Sequence, residues 1–61
     1  MFITLKGAEN EKIIVRTIEI AALTLKKDAN IVTLNSGKEF CILESIDTVH
    51  DEIRSLEARS R

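Results

Sequence analysis

Ile31-Val32-Thr33-Leu34-Asn35-Ser36-Gly37-Lys38-Glu39-Phe40-Cys41-Ile42 is the stretch whose reading decides the fold. Two apolar and β-branched runs flank a polar break at Asn35-Ser36-Gly37-Lys38. Asn and Gly tolerate a positive φ at little cost, and a tight hairpin needs that. Side chains alternate across a strand, so Phe40 and Ile42 share one face while Glu39 and Cys41 share the other. The pattern predicts strands over about 31–34 and 39–43, joined by a tight turn.

Toward the N-terminus, Lys27-Asp28-Ala29-Asn30 reads as a polar turn that closes a strand over about 20–26. Residues 17–22 are ambiguous: Ile18, Ala21, Ala22 and Leu25 fit a helical stripe, whereas Ile20, Ala22 and Thr24 fit a strand. We read a short bend at Thr17-Ile18-Glu19 ahead of the third strand. Ile13-Ile14-Val15 is a β-branched run, predicting a strand over about 12–16. Met1 to Lys6 alternates, with Ile3 and Leu5 on one face, and predicts a strand over about 2–6. Gly7-Ala8-Glu9-Asn10 is the turn between these two.

Toward the C-terminus, Ser45 has the chemistry of a helix N-cap, and Asp47 suits the dipole of the first turn. Ile46, Val49, Ile53 and Leu56 recur at helical spacing and predict an amphipathic helix over about 46–58, with Arg59-Ser60-Arg61 fraying. Glu57 and Arg61 form an i,i+4 pair in the favoured order. The expected fold is α+β and mainly β: one domain of five short antiparallel strands, in a small sheet or barrel, followed by one C-terminal helix. Its expected core is Ile3 and Leu5, Ile13 and Val15, Leu23 and Leu25, Val32 and Leu34, Phe40 and Ile42, and Val49, Ile53 and Leu56.

At 61 residues and 44% hydrophobic, the chain has apolar material for a core but little volume to bury it in. A domain of this size buries only about 60% of the surface its unfolded chain exposes, and such domains commonly lean on a staple. The single cysteine excludes a disulfide framework, and Cys41 with His50 falls short of four zinc ligands. A second subunit remains, so a homo-oligomer is expected. With no proline to blunt edge strands, pairing between sheet edges is one route to it. The helical stripe, which also reads as a coiled-coil seam, is the other.

Nine basic against ten acidic residues give a net charge of −1, without the basic excess that non-specific nucleic-acid binding favours. Phe2 and Phe40 are the only aromatics, too few for a base-stacking platform. No apolar run approaches membrane-spanning length and no secretory signal opens the chain. With its lone thiol, this predicts a cytoplasmic protein.

No phosphate-binding glycine motif, nucleophile elbow or metalloprotease motif occurs, and the expectation is no enzyme, metal or cofactor. Cys41 lies mid-strand and reads as a small buried or half-buried thiol rather than a nucleophile. Glu44, Asp47, Asp51 and Glu52 cluster where a helix dipole favours acids whatever the function. The candidate ligand-binding residues are Lys26, Lys27 and Lys38, whose turns offer charge and backbone N–H groups to a nucleotide or other small anion. The candidate partner-binding residues are His50, Glu52 and Arg54 on the helix.

The run from Ile31 to Phe40, continued by Ile42-Leu43-Glu44-Ser45 and then Val49 and Ile53, resembles the small FlbD/SwrD family of proteins encoded among bacterial flagellar genes. That family shows a similar Ile-Thr-Leu strand, Gly-Lys turn, aromatic and Glu-Ser cap leading into a helix. Ile3-Thr4-Leu5 and Ile13-Ile14-Val15 are compatible with its opening strands. The chain departs from it at Gly7-Ala8-Glu9-Asn10-Glu11, where the family has a tight Asn-Gly turn, and at Asp28-Ala29-Asn30, where it has Pro-Asp-Thr. The resemblance implies a non-enzymatic accessory role with a protein partner and no catalytic residues. The architecture also looks like the CsrA/RsmA translational regulators, which are RNA-binding dimers. Their basic N-terminal signature and proline-containing segment are missing here, and Glu44 stands where they are basic. A phage-type oligomer that captures a nucleotide or other anionic ligand between subunits is a further alternative.

Overall fold

The computed structural model describes residues 1–59. The strands are β1 (Phe2–Lys6), β2 (Lys12–Arg16), β3 (Ile20–Lys26), β4 (Ala29–Leu34) and β5 (Glu39–Ile42). A single 3-10 turn, Thr17–Glu19, joins β2 to β3, and one helix, α1 (Ile46–Arg59), follows. The α+β, mainly β architecture therefore has the element order expected from the sequence.

β1 and β2 pair antiparallel, and β3, β4 and β5 form a three-stranded antiparallel sheet. The two sheets meet where the chain leaves β1. Gly7 bridges to Ile42, Ala8 N–H donates to Cys41 C=O at 3.2 Å, and Leu43 N–H donates to Lys6 C=O at 2.8 Å. The Glu44 carboxylate reinforces this seam by accepting Lys6 N–H at 3.0 and 3.1 Å. The resulting spatial order is β2-β1-β5-β4-β3. It does not close into a barrel, and β2 and β3 are its two outer strands.

Ile3, Leu5, Val15, Val32, Ile42 and Val49 form the buried core, with Ile13, Ile20, Leu23, Leu34, Phe40, Ile53 and Leu56 packed against it. Strand alternation accounts for most of this. Ile3 and Leu5 face inward opposite Val15 and Ile13, and Val32 sits between Leu23 and Phe40. Leu25 is a correction. It shares a face with Leu23 but is 60% exposed. The residue opposite it, Asn30, lies where α1 begins, and Asn30 Oδ1 accepts Ile46 N–H at 3.2 Å. The helix covers the sheet from that point toward Ile20, which takes the core place expected of Leu25.

Turn geometry moves the start of β4. The Lys27-Asp28-Ala29-Asn30 turn is only two residues long, with Lys26 paired to Ala29 and β4 starting at Ala29 rather than Ile31. Lys27 and Asp28 have φ of 48° and 67°, both in the left-handed region that a type I′ hairpin needs. Replacing Lys27-Asp28 by Asn-Gly should raise stability by about 1 kcal/mol, because neither new residue is strained there. In a chain this short the melting temperature should rise by roughly 4–8 °C. A lower melting temperature at the same protein concentration would show that the turn is not of this type.

Asn35-Ser36-Gly37 forms a wider loop. Gly37 N–H donates to Leu34 C=O at 2.9 Å, Leu34 N–H donates to Lys38 C=O at 2.8 Å, and Gly37 supplies φ 93°. The positive φ expected of Asn35 is not used; its side chain instead donates to Ile18 C=O at 2.8 Å. Gly7 is buried against Glu11, whose carboxylate occupies the space a Cβ would need. β5 ends at Ile42, one residue before the expected Leu43.

Ser45 caps α1 as expected: its Oγ accepts Thr48 N–H at 3.2 Å and its C=O accepts Val49 N–H at 3.1 Å. The helix reaches Arg59, one residue beyond the expected end. Ser60, Arg61 and the Glu57–Arg61 pair lie outside the described residues.

Candidate functional site

The hydrogen-bond alternation of antiparallel strands shows which backbone groups are unpaired. Thr17 N–H donates to Met1 C=O at 3.0 Å and Gly7 N–H to Glu11 C=O at 2.8 Å, one at each end of the β1–β2 ladder. Counting by twos between them, Ile13 and Val15 bond to β1, while Lys12, Ile14 and Arg16 turn their N–H and C=O groups outward. On the far side, Asn35 N–H donates to Glu19 C=O at 2.8 Å, and the register of Ala22 with Thr33 and Thr24 with Ile31 follows a bulge at Ala21. There Ala22, Thr24 and Lys26 bond to β4, while Leu23 and Leu25 face the open side. Among the described residues two strand edges are thus free, and they differ in character. β2 carries Lys12 and Arg16, whereas β3 has no charged residue from Ile20 to Leu25.

Each edge has an apolar groove beside it. Next to β3, a groove of about 400 Å³ runs between Ile20, Ala21, Ala22 and Leu23 on the strand and Ile46, Asp47 and His50 on the helix. Next to β2, one of about 330 Å³ is lined by Ile13, Ile14, Val15, Leu34, Lys38 and Phe40. Large apolar side chains stand exposed near both: Phe2, Ile14 and Ile18 on the β2 side, and Leu25 on the β3 side. Arg16 lies over the Phe2 ring at 5.7 Å from its centroid and partly covers it.

The lysines do not converge. Lys26 and Lys27 flank one end of β4 and Lys38 pairs at the other, about 17 Å away at 3.4 Å per residue. The Lys26-Lys27 turn and the Lys38 turn are therefore two separate positions rather than one patch. Lys38 instead borders the apolar groove beside β2.

His50, Glu52 and Arg54 are all exposed on α1. At 100° per residue, His50 and Arg54 fall on one flank of the buried Val49 stripe and Glu52 on the other. They form two surfaces rather than one. That stripe packs on the molecule's own sheet through Val49, Ile53 and Leu56. Cys41 is exposed on the outer face of β5, correcting the expectation of a buried or half-buried thiol: among the described residues no second layer covers it.

Among the described residues no three His, Cys, Asp or Glu side chains are grouped to hold a metal, and no helix is long and apolar enough to cross a membrane. The feature missed from sequence is the groove pairing β3 with Ile46 and Asp47. Its available signal was the uncharged run Ile20 to Leu25, which carries no gatekeeping charge for an edge strand. Comparisons with protein-family models, curated proteins and solved structures give no match to this chain.

Proposed function

We propose that this chain is a non-enzymatic interaction module that acts as a homo-oligomer and presents its remaining surface to a protein partner. The observation that carries this reading is the pair of free strand edges, each beside an apolar groove, in a chain too short to bury its apolar surface alone. Unpaired N–H and C=O rows template strand addition, and an apolar groove alongside adds area to it. The helix supplies the polar surface left for a partner, with Glu52 on one flank and His50 and Arg54 on the other.

Native mass spectrometry of the protein as purified from cells, with an ultraviolet spectrum beside it, tests the proposal. The chain has no Trp and no Tyr, so it is nearly silent at 280 nm and a co-purified nucleotide would be conspicuous. The expected result is a dimer or higher oligomer with no added mass. A stable monomer at micromolar concentration would overturn the reading. An oligomer carrying a defined extra mass per interface would replace it with ligand capture between subunits.

A further inference from the structure

We infer that the β3 edge is where two copies of this chain join, strand β3 against strand β3 about a two-fold axis through Thr24, to form one continuous six-stranded sheet. This rests on the oligomeric reading above and gives it a surface, a register and a symmetry.

The choice between the two edges follows from charge. If β2 paired with its own copy antiparallel about Ile14, Lys12 would lie opposite Arg16 at both ends, and like charges directly opposite are destabilising. β3 has no such protection. From Ile20 to Leu25 it is uncharged and proline-free, the composition of an edge that pairs readily.

The backbone alternation and the two leucines then select a register. Leu23 and Leu25 carry the outward N–H and C=O groups, so outward residues pair only with outward ones. The register that pairs both leucines with leucines sets Leu23 against Leu25 of the second copy, and Leu25 against its Leu23. Thr24 meets Thr24 of the second copy on the axis, in a non-hydrogen-bonded pair. The arrangement is isologous, each copy contributing the same surface, as a closed dimer requires.

Two side-chain consequences fit what the surface offers. Paired residues point to the same side of a sheet, so Leu25 of the second copy lies beside Leu23, toward the groove formed with Ile46 and His50. That accounts for a leucine left 60% exposed on the inner face. Extending the same register brings the Lys26-Lys27-Asp28 turn of one copy alongside Ala21 and Ala22 of the other. There Asp47 borders the groove and Glu19 closes the preceding 3-10 turn. Two lysines against one aspartate in that turn face these two acids, and symmetry repeats the match at the other end.

Thr24→Lys and Thr24→Glu test the register directly. Position 24 is exposed and bonds only its backbone to β4, so either side chain is compatible with the fold. Each variant alone places like charges on the axis, and its dimer dissociation constant should rise about tenfold or more in sedimentation equilibrium. An equimolar mixture of the two should recover the wild-type constant, as a heterodimer that sets the introduced lysine against the introduced glutamate. A structural defect at this position would not be rescued by mixing. In parallel, Thr24→Cys in a Cys41→Ser background should oxidise to a covalent dimer. The Cβ atoms of a non-hydrogen-bonded pair lie roughly 4.5–5.5 Å apart, close enough for a disulfide after slight adjustment. Asp51→Cys in the same background should stay monomeric on a non-reducing gel. If the wild type is dimeric yet the charged variants stay as tight and Thr24→Cys does not cross-link, the β3 interface is wrong and the oligomeric reading stands. If the wild type is monomeric, both fall.

Discussion

Ile3→Ala should leave this protein largely unfolded at 25 °C, whereas Phe2→Ala, one residue away and with a larger side chain removed, should leave it folded. Ile3 is 2% exposed and packs inward opposite Val15, while Phe2 is 59% exposed on the other face of β1. Truncating a buried isoleucine removes transfer energy and leaves a cavity, together about 2–5 kcal/mol. A domain this short has a total stability on the order of 3–9 kcal/mol, so the loss takes most of it. Removing Phe2 forfeits its partial burial and its contact with Arg16, the latter worth about 0.5–1 kcal/mol at an exposed site. Urea unfolding followed by far-ultraviolet circular dichroism at one fixed protein concentration would check both, since an oligomer's apparent stability depends on concentration. The comparison is sensitive to strand parity, because a one-residue slip would exchange the inner and outer faces. Equal urea midpoints for wild type and Ile3→Ala, or a larger loss for Phe2→Ala, would invert the register of β1.

Strand alternation made most of the core legible in the sequence. In β1, β2 and β5 the inward positions follow from alternating side chains alone, and Ile3, Leu5, Val15 and Ile42 are buried where the pattern put them. Ser45 was equally legible, because an N-cap is a local bond between a side chain and a backbone three residues on. What stayed hidden depends on distance. Nothing local distinguishes Leu23 from Leu25; only the start of α1, fixed by Asn30 across the sheet, leaves Leu25 uncovered. Cys41 looked half-buried because its neighbours are apolar, and its exposure reflects the lack, among the described residues, of a second layer that no single strand can announce. The candidate lysines sit in two turns, and consecutive hairpins put successive turns at opposite ends of a shared strand. That one fact separates Lys27 from Lys38.

The two open edges also explain why a strand order so nearly circular stays open. β2 and β3 are consecutive in the chain, joined by Thr17–Glu19, and each is an outer strand of its own sheet. Along this order each neighbouring pair is antiparallel, so β2 and β3 run in the same direction, and pairing them would need a long crossover that a linker of 3 residues cannot supply. Instead Asn35 ties that linker to the opposite turn, bonding to Ile18 C=O through its side chain and to Glu19 C=O through its backbone at 2.8 Å each. The linker is held away from the geometry that closure needs. Both edges therefore remain available, one shielded from self-pairing by its charges and the other not.

Val49→Asp should undock the helix and unfold the sheet with it, and lowering the pH should partly undo the damage. Val49 is 2% exposed and is the one fully buried residue among those described in α1. A carboxylate there would be ionised at neutral pH with no cation or hydrogen-bond donor in the core to pair with it. An uncompensated buried charge of this kind costs about 3–5 kcal/mol. A free helix of 14 residues is marginal in water, so undocking and melting should coincide and ellipticity at 222 nm should fall. The sheet should follow, because Ile3, Leu5, Val32 and Ile42 would lose the element that covers them. Burial raises the folded-state pKa of the introduced acid above its unfolded value near 3.9. The penalty is therefore fully present above the folded pKa and fades as pH falls through it toward the unfolded value. Measured relative to wild type at each pH, Val49→Asp should regain stability between neutral pH and about pH 4, while the uncharged Val49→Asn should show no such recovery. A pH-independent deficit, equal in the two variants, would mean that position 49 admits water and that α1 docks less tightly than its burial indicates.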